Sequence, residues 1–539
     1  MIVAVIPAKR HSSRLADKNL LEIDGLSLVA HAIRYVGRFK SVDKIVVSTD
    51  SEEVAEIAGE NGAMVHLRGQ ELGGEAPLVE VYRDVAEKLG LENISFLVGI
   101  QPDHPNRKSD LDTLLKYVKD NRIDDLCTVD RHCMRNGALR IMSMKALTAA
   151  PPLRSSIAQD DCINIHTAFD FALAAHEMSP HSKEIAVGGK MIGEGHPTFV
   201  IAEAACNHMC ELETAKEMIS LAAEAGADAI KFQTYKAERL TRKGAMTYWR
   251  GKRIPQIEYY RKLDRFGAPE YEALIKHGRE KGIITFSTPF DVESAEMLND
   301  LGALIFKIAS CDLPDSRLLK CVAGFGKPVI LSTGGSTIEE IERAVGIIFS
   351  TGNHQLILMA CTLSYPAANE DANLLRIRAL KERYSGIIVG LSDHTEPDAH
   401  MVIPALGVAL GAKVIEKHYT LDRKLSGSGH FFSMNPEDLK KMLRNVRLAE
   451  SVLGDGALGV AEAENSARAS ARRSIVAERD IRRGETIGSS MLGMKRPAEG
   501  LPGWMMNALI DKRAKTNIQA DQAISMDMVE CSRRRDSCQ

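Results

Sequence analysis

The 539-residue chain has no excess of charge of either sign. Sixty-nine Lys and Arg face 72 Asp and Glu, a formal net charge of −3. Neither nucleic acid nor an anionic membrane is therefore expected as a partner. No apolar run approaches the roughly 20 residues that a membrane-spanning helix needs. The opening MIVAVIPAKRHSSRL has a short apolar run and then basic residues, the wrong order for a signal peptide. A cytoplasmic protein is the expectation. A disulfide framework is missing too. Of ten cysteines, Cys127, Cys311, Cys321 and Cys361 sit within apolar runs, as reduced core thiols do. Cys206, His208 and Cys210 in ACNHMC are a zinc-like grouping, but no second Cys/His pair follows at finger spacing, so a zinc site is not expected.

What is present is ample core. Apolar residues make up 45% and charged residues 26%, the balance of a soluble globular protein of two to four domains. Residues 1–185 alternate strand-like runs (2–8, 44–50, 63–67, 94–101) with helical periodicity, which predicts an open α/β sheet. The polar, glycine-rich stretch 179–197 reads as a boundary. Over 196–450 eight short apolar runs follow, from FVIAEA at 199 to KVIEKHY at 413, with helix patterns such as LETAKEMISLAAEAGA between them. That rhythm predicts a (β/α)8 barrel, with a doubly wound open sheet as the alternative. Residues 468–530 read as a small, largely β domain, and the tail CSRRRDSCQ as frayed.

The barrel runs share a feature at their ends, where this fold places its active sites. They stop at Glu203, at Lys231 and Gln233, at Thr288, at Lys307 and Ser310, at Ser332, at Tyr365, at Ser392-Asp393-His394, and at Glu416-Lys417-His418. One polar strand end is ordinarily a helix cap. A series converging on one mouth is not. Two lysines with several hydroxyls suit a phosphate ester. His394 and His418, on adjacent strands, suit one divalent metal ion with positions left open.

These residues resemble the sialic acid synthase family. The motifs are IAEAACNH, GADAIKFQ, FSTPFD, KIAS, LSTGG, GLSDHT and IEKHYTLDR, in order and one per strand end. The resemblance implies condensation of phosphoenolpyruvate with an N-acetylated amino sugar, giving a nonulosonic acid and phosphate. It implies His394 and His418 as ligands of Mn²⁺ or Mg²⁺. Lys231, Thr288, Lys307, Ser310, Ser332 and Ser392 become the phosphoenolpyruvate pocket, and Gln233, Tyr365 and Glu416 the sugar contacts. Glu203 falls between the two substrates, and it joins Lys307 and the two histidines as a catalytic candidate. The C-terminal ARRSIVAERDIRRGE and KRP resemble the family's antifreeze-like domain, whose Arg496 would serve a partner's site in a domain-swapped homodimer. Two positions depart from the family pattern. Leu363 replaces a polar residue, and Gly429 an aspartate.

The first domain resembles the cytidylyltransferases that activate sialic acids, an open nucleotidyltransferase-like α/β sheet. IPAKRHSSRLADKN carries Lys9, Ser12, Arg14, Lys18 and Asn19, and LRGQEL and QPDHPNR carry Arg68 and Gln101. The resemblance implies CTP as ligand. Where the family ends in D-I-D-T-x-x-D, this chain has Asn164 and His166, and only Asp170 is kept. Neutral ligands suit magnesium poorly, so a retained fold with weakened transfer stands beside a working transferase. Two alternatives remain for the whole chain. One is a catalytically weakened sugar- or phosphate-binding or regulatory protein on the same folds. The other is an aldolase with a Schiff-base lysine.

Overall fold

The computed structural model describes residues 1–530 except 11, 13, 70, 71, 73–75, 89–92, 149–152, 180–182, 250, 251 and 428. The tail reading, and the Gln70 and Glu71 of LRGQEL, fall outside the described residues.

The N-terminal sheet contains β1 (Ile2–Pro7), β2 (Lys44–Thr49), β3 (Met64–Leu67), β4 (Phe96–Ile100), β5 (Asp125–Val129), β6 (Arg135–Ser143) and β7 (Ser155–Gln159), in the order β3-β2-β1-β4-β6-β5-β7. β1 is parallel to both neighbours, and only β6 runs antiparallel to its own. β1 is apolar and buried on both faces, which made it legible as a continuous run. β5, β6 and β7 lie outside the predicted runs, and β6 and β7 are partly exposed. Helices 28–37 and 52–60 start at Ser27 and Ser51, whose side chains accept from the third following amide.

The stretch 179–197 is more than a boundary. Residues 184–187 and 190–193 form an antiparallel hairpin closed by Gly188 and Gly189, at φ 56° and 82°. Both glycines take the left-handed backbone that a two-residue turn of this hand demands. The hairpin buries Ile185, Val187 and Ile192 against the barrel interior.

The barrel strands are β8 (Phe199–Ala205), β9 (Ala229–Thr234), β10 (Ile284–Pro289), β11 (Phe306–Ile308), β12 (Val329–Ser332), β13 (Leu356–Cys361), β14 (Ile388–Asp393) and β15 (Val414–His418). All eight coincide with the predicted runs. They pair in parallel in the order β10-β9-β8-β15-β14-β13-β12-β11, and β10 lies beside β11 without a ladder. The barrel expectation holds, with one seam unpaired.

Strand period 2 sorts the side chains. Phe199, Ile201, Ala229, Ile284, Phe286, Ile305, Ile330, Ile357, Met359, Ile388 and Val414 fill the interior. Val200, Ala202, Ile230, Phe306, Leu331, Leu358, Val389 and Ile415 face the surrounding helices. Gly390 has no room for a side chain, since a Cβ there would lie 2.5 Å from Met359 Sδ and 2.6 Å from the Val414 carbonyl. The interior is therefore packed with apolar side chains at the hairpin end, and a polar residue follows at the inward end of every strand except β13, which has Cys361.

The chain divides into two compact units, 1–453 and 454–539. In the second, β16 (Ser474–Ala477) pairs antiparallel with β17 (Leu492–Lys495). Single bridges such as Ile481 to Ile518 and Ala514 to Val529 do the rest around Ile475, Ile487, Leu509 and Ile524. The stretch 517–529 makes isolated bridges rather than a ladder. Its apolar residues Ile518, Ile524 and Val529 are too widely spaced to line one strand face. Among the described residues, no helix is long and apolar enough to cross a membrane.

Candidate functional site

At the C-terminal mouth of the barrel a cavity of about 30 Å³ is lined by Glu203, Lys231, Gln233, Thr288, Lys307, Ser310, Ser332, Tyr365, Ser392, His394, Glu416 and His418. Those are the barrel residues given a metal, substrate or catalytic role from the sequence; Asp393 and Lys417, also at strand ends, are not among them. Ala309 and Cys361 complete the lining. Cys361 had been read as a core thiol. Its inward position on β13, two residues beyond Met359, was the signal available.

Register explains the convergence. Glu203 lies directly opposite Lys231 on β9 and His418 on β15, and Ser392 lies opposite Glu416. A bulge follows Glu203, where Ala205 takes φ 48°, and such bulges re-aim side chains next to sites.

The charges pair off. Lys231 Nζ stands 2.7 Å from Glu203 Oε2 and donates to Thr288 Oγ1 at 2.9 Å. Lys307 Nζ donates to Glu416 Oε1 at 3.2 Å, and Ser392 Oγ donates to the same oxygen at 2.9 Å. Each lysine is ion-paired, unlike the apolar setting of a Schiff-base lysine. Burial raises the Glu203 carboxyl well above the ordinary range against the pull of Lys231, and the Glu416 charge adds to the rise. At Glu416 burial is outweighed by Lys231, Lys307 and Ser392, so its carboxyl is held low. Two glutamates in one cavity thus differ in proton affinity, the usual division between a proton carrier and a permanent anion.

Both histidines are neutral at neutral pH. Burial lowers His394 to about 4. His418 falls well below the ordinary value through burial and then the nearby His394 and Lys231. Their ring centroids are 5.4 Å apart. The Thr362 carbonyl accepts from His394 Nδ1 at 2.7 Å, which leaves Nε2, 3.4 Å from Ser392 Oγ, as the ring's lone-pair nitrogen. His418 Nδ1 is buried without a partner. Two neutral imidazoles, one oriented by a carbonyl, fit a divalent metal ion as ligands. Among the described residues no third His, Cys, Asp or Glu joins them in a metal-holding group, so water or substrate must supply the remaining positions.

Asp393 points the other way. Its carboxylate accepts from the Thr395 amide and hydroxyl at 2.9 and 2.7 Å and pairs with Lys417 Nζ at 2.7 Å. This buried pair lies behind His394 and His418 and ties β14 to β15.

A larger cavity of about 440 Å³ shares Gln233, Ala309, Tyr365 and His418 with the first. Its further lining includes Tyr235, Leu240, Tyr260, Leu263, Phe290 and Phe432, none of which was singled out from the sequence. Tyr235, Leu263 and Phe290 come from loops, Leu240 and Tyr260 from the short helices 237–240 and 256–261, and Phe432 from a 3-10 turn, so no strand register announces their direction. Leu363 and Gly429 also line it. A Cβ on Gly429 would come within 2.9 Å of Asn207 Oδ1, whose amide is tied to Tyr419 and Ser433. The zinc-like trio is not a metal site. His208 Nδ1 accepts from the Cys210 amide, its ring stacks on Phe266, and Cys206 Sγ turns to Gln233 and Tyr235.

In the N-terminal domain a cavity of about 250 Å³ is lined by Lys9, Ser12, Lys18, Asn19, Arg68 and Gln101, with Asp103 among their neighbours. Of the residues read from the nucleotide-binding signatures, Arg14 alone is outside this lining. Arg496 lies in the C-terminal unit, exposed, directly after β17.

Fold and mouth define a TIM-barrel protein with a polar, metal-compatible site, joined to a nucleotidyltransferase-like domain. The NeuB family model matches residues 218–457, a cytidylyltransferase model residues 3–152 and a SAF domain model residues 472–530. The chain is 36% identical over 334 residues to N,N′-diacetyllegionaminic acid synthase of Campylobacter jejuni, covering 61% of this chain and 98% of that protein. It is 36% identical over 330 residues to pseudaminic acid synthase of the same species, covering 60% and 95%. A crystal structure titled as spore coat polysaccharide biosynthesis protein E of Chromobacterium violaceum matches with TM-score 0.53 at 29% identity, covering 62% of this chain and all of that one. The chain belongs to the NeuB family.

Proposed function

We propose that the barrel condenses phosphoenolpyruvate with the open-chain aldehyde of an N-acetylated amino sugar, giving a nonulosonic acid and phosphate. The observation that carries this reading is the single cavity in which two lysines, four Ser/Thr hydroxyls, two glutamates of opposite proton affinity and two neutral histidines meet.

Lys231, Lys307, Thr288, Ser310, Ser332 and Ser392 would hold the phosphate ester. The inner cavity is the size of about one water, so the lysines must exchange their glutamates for the phosphate as it enters. Gln233, Tyr365 and Glu416 would orient the sugar in the adjoining cavity. His394 and His418 would hold a divalent cation, Mn²⁺ or Mg²⁺, which when bound supplies Lewis acidity towards the aldehyde oxygen. C3 of phosphoenolpyruvate bonds to the aldehyde carbon, water adds at C2, and the C2–O bond to phosphate breaks. Glu203 is placed to take a proton from that water and to return one to the new hydroxyl, because burial lets it keep a proton near neutral pH. The rest is positioning and charge complementarity. Arg496 would be lent to a second copy's site in a domain-swapped homodimer.

The test is incubation with phosphoenolpyruvate, Mn²⁺ and a panel of amino sugars, with phosphate release and product mass as readouts. Phosphate release that depends on both sugar and metal is expected. Release undiminished in His394→Ala would remove the metal assignment.

A further inference from the structure

The barrel mouth has neutral metal-compatible ligands. The N-terminal cavity has lost its counterpart. The resemblance to cytidylyltransferases implies two aspartates holding magnesium at positions 164 and 166. Here Asn164 offers one neutral oxygen, buried without a partner, and its amide reaches the Asn136 carbonyl at 3.4 Å. His166 Nδ1 shares a hydrogen bond of 2.8 Å with Arg14 Nη1, so a fixed cation sits against the second position.

The nearby carboxylates are already committed. Asp170 Oδ2 accepts from the His166 and Thr167 amides and from the Thr167 hydroxyl, capping helix 168–178. Asp103 accepts from Lys18 Nζ at 2.6 Å and meets His104 Nδ1 at 2.9 Å. Lys18 Nζ, buried, also donates to the Ile165 carbonyl at 2.9 Å. Its ammonium is thus fixed between Asp103 and the 164–166 segment. Among the described residues, no group of three His, Cys, Asp or Glu is placed to hold a metal. Magnesium does not fit this set.

An anion does. Among the described residues that line the cavity, Lys9, Lys18 and Arg68 are cations and Asp103 is a carboxylate. Arg68 Nε is buried and has no hydrogen-bond partner. Asp50 acts on Arg68 only through space and accepts from the Arg10 amide instead. A buried guanidinium nitrogen without a partner costs free energy until an anion meets it. Ser12, Asn19 and Gln101 add neutral hydrogen-bonding groups.

We propose that this pocket binds the phosphate chain of a nucleoside triphosphate without a divalent cation, Lys18 and Arg68 supplying the positive charge a metal would bring.

Calorimetry on the full-length protein tests this with CTP and CMP, once in EDTA and once with Mg²⁺. CTP should bind in EDTA with an affinity within about threefold of that in Mg²⁺, and at least tenfold more tightly than CMP. Arg68→Met, checked for an unchanged melting temperature, should weaken CTP at least tenfold. Binding that appears only with Mg²⁺ overturns the proposal. So does the absence of binding in both buffers, equal affinity for CTP and CMP, or wild-type affinity in Arg68→Met. Phosphate release from phosphoenolpyruvate, measured in parallel without CTP, reports on the barrel separately, so the two readings fail independently.

Discussion

Both polar cavities open where parallel strands end, yet their charges are arranged differently. In the barrel mouth each lysine has a glutamate, and the two histidines are neutral. Among the described residues that line the N-terminal pocket, cations outnumber carboxylates, and positions 164 and 166, outside that lining, carry an amide and an imidazole bonded to arginine. The sheet decides where a ligand can be met. Individual side chains decide what chemistry follows.

Four experiments would break or sharpen that contrast. The largest effect is expected behind the barrel site. Lys417→Met strips Asp393 of its buried partner and should cost about 3–5 kcal/mol, read by hydrogen exchange in β14 and β15. Adding Asp393→Leu should recover much of it; failure to recover would mean that the pair does not tie the strands together. Next, His418→Ala should reduce Mn²⁺-dependent phosphate release by roughly 100-fold, about 2.7 kcal/mol. An unaltered rate would place the metal elsewhere.

Third is the pH response of the two carboxylates. At Asp103 burial, which raises the carboxyl, is outweighed by the hydrogen bond and charge of His104 and by Lys18, so its value is lowered. Its stabilisation is complete above the unfolded value of about 3.9 and is lost as pH falls through the folded value. Asp103→Asn should therefore remove on the order of 2 kcal/mol at neutral pH and little in strong acid, seen as exchange in β1 and β4. Glu203 has the opposite sign, since burial raises its carboxyl. Its ionisation disfavours folding as pH climbs from the unfolded value of about 4.3 to the folded one. Glu203→Gln should flatten stability on that side. Smallest is the restoration of the missing carboxylates. Asn164→Asp with His166→Asp should make CTP binding about tenfold tighter in Mg²⁺ than in EDTA, about 1.4 kcal/mol. Equal affinity in the two buffers would mean that these positions do not face the phosphates.

Much of the site was legible because barrel strands are short, doubly buried and of period 2. A run such as IIVGLSD states both where the strand lies and which residues point inward at its end. Asp393 shows how sharp that rule is. It is flanked by Ser392 and His394 of the mouth, yet faces Lys417 behind them. Three things escaped. The hairpin 184–193 was hidden by its polar alternation, although Gly188-Gly189 between alternating runs was the available turn signal. The half-exposed strands β6 and β7 lacked a continuous apolar run. The aromatic wall of Tyr235, Tyr260, Phe290 and Phe432 sits on loops and short helical turns beyond the strands, where strand spacing carries no direction.

By itself the sequence determined the two α/β folds, the eight barrel strands and the residues at their polar ends, because those follow from local periodicity. Only the tertiary structure decided the charge states. Which glutamate holds a proton, which histidine nitrogen is left open, and whether Lys18 faces a carboxylate or a ligand all depend on burial and on partners far apart in the chain. Lys18 meets Asp103 85 residues away, and Lys307 meets Glu416 109 residues away.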